Sequence, residues 1–184
     1  MDGILSVDFN FSAGLTLFRY PVEAPQDYTS HDLIKHLGTN DEIEKIQRYN
    51  PLTRTYETTT YDQSGMVLGD EFPIVNTEGY FLYLKRSTQS FFFGPAPNAA
   101  TPLIKGFNIL PLLPTPGEYT SYDFLSHLGS PDQIENIVKF NTNTGSFETT
   151  YYYFGRPSGT NFRISDKESY LIHMKTDKVL DTPP

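Results

Sequence analysis

Residues 28–50 read YTSHDLIKHLGTNDEIEKIQRYN, and residues 119–141 read YTSYDFLSHLGSPDQIENIVKFN. The second stretch begins 91 residues after the first, and this spacing persists to the shared ETT at Glu57 and Glu148. Beyond the next loop the spacing falls to 90, because the second copy lacks one residue where an exposed loop tolerates the loss. One register kept over most of ninety residues predicts an internal duplication.

Each copy predicts the same order of short elements. In the first copy, apolar patterns predict strands over residues 4–11 and 15–20. A short helix is expected next, with Thr29 or Ser30 as its N-cap. Gly38 should end this helix in the left-handed conformation that glycine favours.

The remainder of the copy predicts a second helical turn and more strands. TNDE at residues 39–42 fits a capping box, which indicates the second helical turn. KIQRYN and TYETTTY predict a hairpin, and STQSFFF predicts an edge strand. FPIV and GYFLYLK predict two further strands, with FRI and SYLIHMK as their counterparts in the second copy.

The predicted fold class is therefore α+β. We expect two tandem copies of a small module, each made mainly of antiparallel strands with one or two short helices. The first module should cover residues 1–93 and the second 102–184, joined by a linker over 94–101. Two copies with a period near ninety exclude a propeller, whose blades repeat at about forty to fifty residues.

Composition excludes several classes of function. The net charge is −8 and no cluster of Lys and Arg is present, so a nucleic-acid partner is not expected. The absence of cysteine removes disulfides, thiolate metal sites and cysteine nucleophiles. The apolar runs are too short for a membrane span and the start lacks a signal peptide, so we expect no membrane insertion. An excised fragment would explain such a start.

The histidines indicate a structural role. His36 and His127 occupy equivalent positions just before the predicted helix ends, where the dipole and the last carbonyls stabilise them. We therefore expect both at a helix C-terminal end, with no metal bound. His31 and His173 have no histidine counterpart, and neither HEXXH nor GXSXG occurs. No cofactor is predicted, and structural calcium is left open.

Carboxylates occur in pairs near the predicted second turn. They are Asp41, Glu42 and Glu44 in the first copy, and Asp132 and Glu135 in the second. A glycosidase-like hydrolase needs two such groups in a cleft. The capping box explains their placement better, so we predict no catalytic residues and keep the hydrolase as an alternative.

Aromatic residues make up 15% of the chain and occur in the second strand of each hairpin. Tyr56 matches Phe147, and Tyr61 matches Tyr152. Because both aromatic pairs are shared by the copies, we expect all four side chains to belong to the module core.

Two further tyrosines in this strand are specific to the second copy. Tyr151 and Tyr153 replace Thr60 and Asp62, so the shared fold does not require aromatic rings there. We predict that both tyrosines are exposed and bind a ligand. Packing against the first module is the competing interpretation.

Motifs at the ends of each copy carry a resemblance. GLTLFRYP at Gly14 and GFNILPLLP at Gly106 open the copies, and EGYFLYLK at Glu78 and ESYLIHMK at Glu168 close them. They resemble repeat modules of bacterial exported and cell-surface proteins, which open on GWNLISLP and close on GEGYWV. Ser169 replaces the glycine of that pattern, and the usual Trp is missing. The resemblance implies a non-catalytic role in an extracellular, cell-surface or periplasmic protein.

These observations predict a non-catalytic structural or interaction module of a bacterial surface or secreted protein. Its expected partners are other domains of a larger protein, a surface protein or a glycan. The first alternative is a carbohydrate- or peptide-binding module that uses exposed Tyr-rich strand faces. The second alternative is the hydrolase with an unrecognised carboxylate pair.

Overall fold

The structure is a computed structural model that describes residues 4–50, 53, 55–96, 101–111, 119–141, 144–165 and 169–180. The chain divides into two compact units, Met1–Asn98 and Ala99–Pro184. Residues 97–100 of the predicted linker and Glu168 of the closing motif lie outside the described residues.

Each unit contains one short helix and several strands. The first unit comprises β1 (Ile4–Phe11), β2 (Gly14–Phe18), α1 (Ser30–Leu37), β3 (Ile43–Asn50), β4 (Thr55–Tyr61), β5 (Val67–Gly69), β6 (Tyr80–Leu84) and β7 (Thr88–Pro95). The second unit comprises β8 (Thr101–Leu103), β9 (Gly106–Pro111), α2 (Ser121–Leu128), β10 (Ile134–Asn141), β11 (Ser146–Tyr153), β12 (Arg156–Gly159), β13 (Ser169–Met174) and β14 (Lys178–Leu180).

Both units are built on an antiparallel five-stranded sheet. The order is β2-β6-β3-β4-β5 in the first unit and β9-β13-β10-β11-β12 in the second. A separate two-stranded ribbon accompanies each sheet, β1 with β7 and β8 with β14. The registers also correspond, since Ile46 lies opposite Thr59 and Ile137 lies opposite Thr150. The predicted α+β class with mainly antiparallel strands is confirmed.

Each helix begins at a capping box, and the N-cap of α1 is Thr29, one of the two residues predicted for it. The backbone N–H of Thr29 donates to Asp32 at 3.0 Å, and that of Thr120 donates to Asp123 at 3.0 Å. Residues 39–42, predicted as a second helical turn, form a single hydrogen-bonded turn that leads directly into β3.

The predicted conformation of Gly38 is wrong. Its φ of 150° and ψ of −168° lie in an extended region with positive φ, not in the left-handed helical region. A side chain there would lie 2.6 Å from a carboxylate oxygen of Glu42. That carboxylate accepts a hydrogen bond from the Thr39 backbone N–H at 2.8 Å. Gly38 is therefore required because the capping side chain occupies the space a Cβ would need.

Two strand predictions also need correction. FPIV and FRI form only isolated bridges, Thr29 with Pro73 and Thr120 with Arg163. Pro73 has no N–H to donate to a strand ladder, which limits its pairing. The short strands β5 and β12 were not predicted from the sequence. STQSFFF forms β7 as expected, but β7 pairs with β1 in the ribbon.

The core of each unit lies between its helix and one face of its sheet. In the first unit Leu33, Ile34 and Leu37 pack with Ile46 and Leu82, and all five are buried. The second unit has the corresponding cluster, which includes Phe124, Leu125, Leu128, Ile137 and Ile172.

The prediction that Tyr56 and Phe147 belong to the core is wrong, because their side chains are 57% and 58% exposed. In β4 the fully buried position is Thr59, whose hydroxyl donates to Ser30 Oγ at 2.6 Å. Alternation along the strand then places Tyr56 on the opposite face. Tyr61 shares the parity of Thr59 and packs against the core.

Candidate functional site

The hairpin of β11 and β12 carries the two tyrosines singled out from the sequence. Tyr151 lies opposite Ser158 and Tyr153 lies opposite Arg156, so the turn has only two central residues, Phe154 and Gly155. Their φ angles are 47° and 75°. Positive φ at both central residues is the signature of a type I′ turn, the tightest common hairpin connection.

Three aromatic side chains project from this hairpin, and we call them the aromatic hairpin tip. The exposed fractions are 41% for Tyr151, 61% for Tyr153 and 89% for Phe154. The rings of Tyr153 and Phe154 form an edge-to-face pair with centroids 4.5 Å apart. Their role in ligand binding stays a prediction. Phe154 was missed as a candidate, although a Phe-Gly pair ending an aromatic strand is a signal of an exposed turn.

Phe154 occupies a conformation that a bulky side chain rarely adopts. A left-handed backbone costs an L-residue roughly 1–2 kcal/mol, and the sequences that favour this turn are Asn-Gly and Asp-Gly. The surrounding sheet must therefore hold Phe154 in place. Such strain is often found at functional positions.

The first unit connects the equivalent strands with a polar loop. The Asp62 carboxylate accepts hydrogen bonds from the backbone N–H groups of Ser64 at 2.8 Å and Met66 at 2.9 Å. The pKa of Asp62 is lowered, first by the hydrogen bond from the Ser64 hydroxyl and then by that from Met66. The two units thus differ in the chemistry of one connection, polar in the first and aromatic in the second.

Tyr151 has a structural role as well as an exposed surface. Its ring covers Gly159 on the edge strand β12, because a Cβ built on Gly159 would lie 2.9 Å from a ring carbon. Gly159 also accepts a hydrogen bond at its carbonyl from the Tyr122 hydroxyl at 2.9 Å. Tyr151 is therefore anchored against β12, whereas Tyr153 and Phe154 are the more exposed rings and contact each other.

Polar side chains flank these rings on the same face of the sheet. Arg156 is exposed beside Tyr153, and its guanidinium forms no ion pair or hydrogen bond within the described part of the chain. Asn136 lies opposite Tyr151 on β10, and its buried Oδ1 has no partner among the described residues. The hairpin therefore combines flat apolar rings with groups able to form hydrogen bonds.

The helical histidines lie where the sequence predicts. His36 and His127 are both in the last turn of their helices. The His36 imidazole stacks on Phe92 at 4.8 Å, and its Nε2 lies 3.0 Å from the carbonyl of Phe91. In the second unit Lys178 donates to the carbonyl of His127 at 3.0 Å, a contact that the sequence did not suggest. Within the described ranges no cluster of three or more His, Cys, Asp or Glu could hold a metal ion.

Two of the carboxylates named for a hydrolase make structural contacts. Hydrogen bonds from Thr39, first from its backbone and then from its side chain, lower the pKa of Glu42. Glu135 lies 2.8 Å from Nδ1 of His173, whose ring stacks on Phe107. Neither contact argues for a hydrolase, which stays a prediction.

Both described helices have eight residues, and no helix in the described ranges is long and apolar enough to cross a membrane. Comparisons with protein-family models, with curated proteins and with solved structures found no match.

Proposed function

We propose that this chain is a duplicated, non-catalytic interaction module, and that its second unit contacts a glycan or a peptide through the aromatic hairpin tip. The observation that carries this proposal is Phe154, which is 89% exposed at a φ of 47°. Neither burial nor turn preference explains a phenylalanine at such a position. Contact with a partner would explain it.

The duplication is supported by the sequence register and by the matching strand orders of the two sheets. It is also supported by shared polar contacts that hydrophobic pattern alone would not require. Thr59 bonds Ser30 and Thr150 bonds Ser121, each at 2.6 Å between hydroxyl oxygens. We infer that a common module supplies the scaffold and that the connections between strands supply the differences in function.

The aromatic side chains suit a binding role for a physical reason. A tyrosine or phenylalanine ring offers a large flat apolar surface at a small cost in side-chain entropy. Tyr153 and Phe154 present such surfaces to solvent, and Arg156 and Ser158 add hydrogen-bonding groups beside them. A pyranose ring or an extended peptide can use both kinds of contact.

We also propose that the module belongs to a bacterial secreted or cell-surface protein. This part rests on the resemblance of its opening and closing motifs to repeats of exported proteins. Other domains of the same protein, a surface protein or a glycan would then be its natural partners.

The test is retention of the full chain on a panel of immobilised cellulose, chitin, peptidoglycan and unstructured peptides. We expect the wild type to be retained on at least one surface and Tyr153→Ala to be released from it. Tyr56→Ala is the matched control, because it removes a similarly exposed ring from the first unit. Retention that survives Tyr153→Ala, or is lost equally in Tyr56→Ala, would contradict the proposal.

A further inference from the structure

The first unit contains an open groove between helix α1 and the β4–β5 loop. Its volume is about 900 Å³, within the range of about 300–1,000 Å³ typical of small-molecule sites. His31 and Lys35, four residues apart on α1, line it from the helix. Gln63, Ser64 and Met66 line it from the loop. The groove is therefore concave, unlike the aromatic hairpin tip of the second unit.

The loop that bounds this groove is fixed by its own hydrogen bonds. Asp62 closes the loop through Ser64 and Met66, as described above, and the backbone N–H of Gly65 donates to the Asp62 carbonyl at 3.2 Å. The Asn40 amide donates to the same carbonyl at 3.1 Å, which ties the loop to the turn after α1. A ligand would find this groove already formed, so little binding energy would be lost in ordering it.

Two nitrogen atoms on the helix wall have no partner among the residues that the structure describes. Lys35 is exposed, and its ammonium makes no ion pair or hydrogen bond with any described residue. His31 Nε2 is buried and also has no partner in the described ranges. The other ring nitrogen of His31, Nδ1, lies 4.0 Å from a carboxylate oxygen of Glu71. Buried nitrogens normally have a hydrogen-bond partner, so the Nε2 atom requires an explanation.

The second unit shows that the fold itself does not require these side chains. Tyr122 and Ser126 occupy the positions of His31 and Lys35. The Tyr122 hydroxyl donates to the Gly159 carbonyl at 2.9 Å, and the Ser126 hydroxyl donates to the Tyr122 carbonyl at 2.9 Å. The same helix face is thus satisfied internally in one unit and left with unpaired nitrogens in the other.

We propose that the groove of the first unit binds a ligand through a carboxylate group, which pairs with the exposed Lys35 ammonium and accepts a hydrogen bond from His31 Nε2 after a rotation of the partly exposed His31 ring. The site belongs to the first unit and the aromatic hairpin tip to the second, and the proposal does not depend on the function of that tip. Asp41 also lines the groove. A monoanionic carboxylate matches the single Lys35 ammonium better than a dianionic phosphate, which would bring a second negative charge close to Asp41. A peptide C-terminus and a uronic acid share the required chemistry.

The experiment titrates the full, ¹⁵N-labelled chain separately with N-acetylglycine, galacturonate and inorganic phosphate. We expect saturable shifts of the Lys35 and Gly65 amide signals with at least one of the two carboxylates. Lys35→Ser should weaken that binding by about tenfold or more, the loss expected for a charge-assisted hydrogen bond. His31→Tyr should weaken it in the same direction.

Both substitutions introduce the residue that the second unit has at the same position, so the helix should tolerate them. The matched control is Lys45→Asn, which also removes one positive charge and also introduces the residue of the second unit. Lys45 lies outside the groove, with its Nζ 4.2 Å from the centre of the Tyr83 ring, and its substitution should leave affinity unchanged. A response to only one carboxylate identifies the source of the ligand and supports the proposal.

Three results would overturn it. The first is that neither carboxylate gives saturable shifts with the wild-type chain. The second is that Lys35→Ser and Lys45→Asn weaken binding equally, which would indicate a general effect of charge. The third is that phosphate binds more tightly than both carboxylates.

Discussion

Replacing Phe154 with asparagine should stabilise the second unit. Phe154 has a φ of 47°, and this conformation costs an ordinary L-residue roughly 1–2 kcal/mol, most of which asparagine avoids. The ring is 89% exposed, so its removal loses only about a tenth of the burial energy of a phenylalanine, or roughly 0.3 kcal/mol. The expected net gain is about 1 kcal/mol.

Native-state hydrogen exchange measures this gain within one molecule. The amide of Thr150 in β11 reports on the second unit, and that of Thr59 in β4 is the internal reference in the first. Both residues are fully buried. Phe154→Asn should slow exchange at Thr150 by about fivefold, the factor that corresponds to about 1 kcal/mol, and leave Thr59 unchanged.

Phe154→Ala distinguishes the effect of the backbone conformation on stability from the effect of removing the ring. Alanine removes the ring but does not favour positive φ, so its effect on exchange should be close to zero. If Phe154→Asn leaves Thr150 unchanged or speeds its exchange, the backbone strain inferred for Phe154 is absent. Phe154 would then adopt its turn conformation without strain, and no partner would be needed to explain it.

The remaining predictions concern the scaffold. Leu37→Ala and Leu128→Ala should each lower the free energy of unfolding in urea by about 2–5 kcal/mol, because both side chains lie on the buried faces of their helices. A loss below about 1 kcal/mol would contradict that packing. Hydrogen bonds from Thr120, first from its hydroxyl and then from its backbone, lower the pKa of Asp123 in the folded state. This carboxylate therefore stabilises the folded state at pH values above its unfolded pKa of about 4. The stabilisation is lost as pH falls through the pKa of the folded state. Asp123→Asn should therefore lower Tm at pH 7 and make little difference at pH 2, whereas an equal loss at both values would refute the assignment. Lys178→Met should cost about 1 kcal/mol by uncapping two helix carbonyls, and an unchanged urea midpoint would show that the contact is not formed in solution.

The sequence predicts local elements well where one pattern dominates. The strand predicted over residues 4–11 has those bounds in the structure, and the N-cap of the helix is Thr29, one of the two residues predicted for it. Alternation in β1 and the Thr-Ser-x-Asp signal before α1 act over a few residues. Such signals need no knowledge of the tertiary structure.

The sequence fails where tertiary contacts decide which face is buried. Alternation shows that Tyr56 and Thr59 face opposite ways, but hydrophobicity ranks tyrosine as the more buried of the two. The structure reverses this order, because the Thr59 hydroxyl donates a hydrogen bond to the buried Ser30 at the start of helix α1. The predicted conformation of Gly38 is wrong for a similar reason. The Glu42 side chain, which occupies the space that a Cβ on Gly38 would need, comes from the following turn.

The candidate site was predicted only in part. Comparison of the two copies identified Tyr151 and Tyr153, because the first copy has polar residues there. It did not identify Phe154, because the segment between Tyr61 and Gly69 is one residue longer than its counterpart between Tyr152 and Gly159. Residues inside these two segments therefore cannot be aligned with each other. Nor could it show that Tyr151 covers Gly159, since that contact crosses from one strand to the next.

The central claim is that the aromatic hairpin tip contacts a glycan or a peptide. Its most direct test compares the dissociation constants of the wild type and Phe154→Asn, measured on an immobilised polysaccharide or peptide that retains the wild-type chain. If the aromatic hairpin tip is a contact surface, the variant should bind at least about tenfold more weakly, within the range known for an interface hot spot, while its second unit unfolds less readily. Equal dissociation constants, or a wild-type chain that no surface of the panel retains, would contradict the claim that this hairpin is the site of interaction.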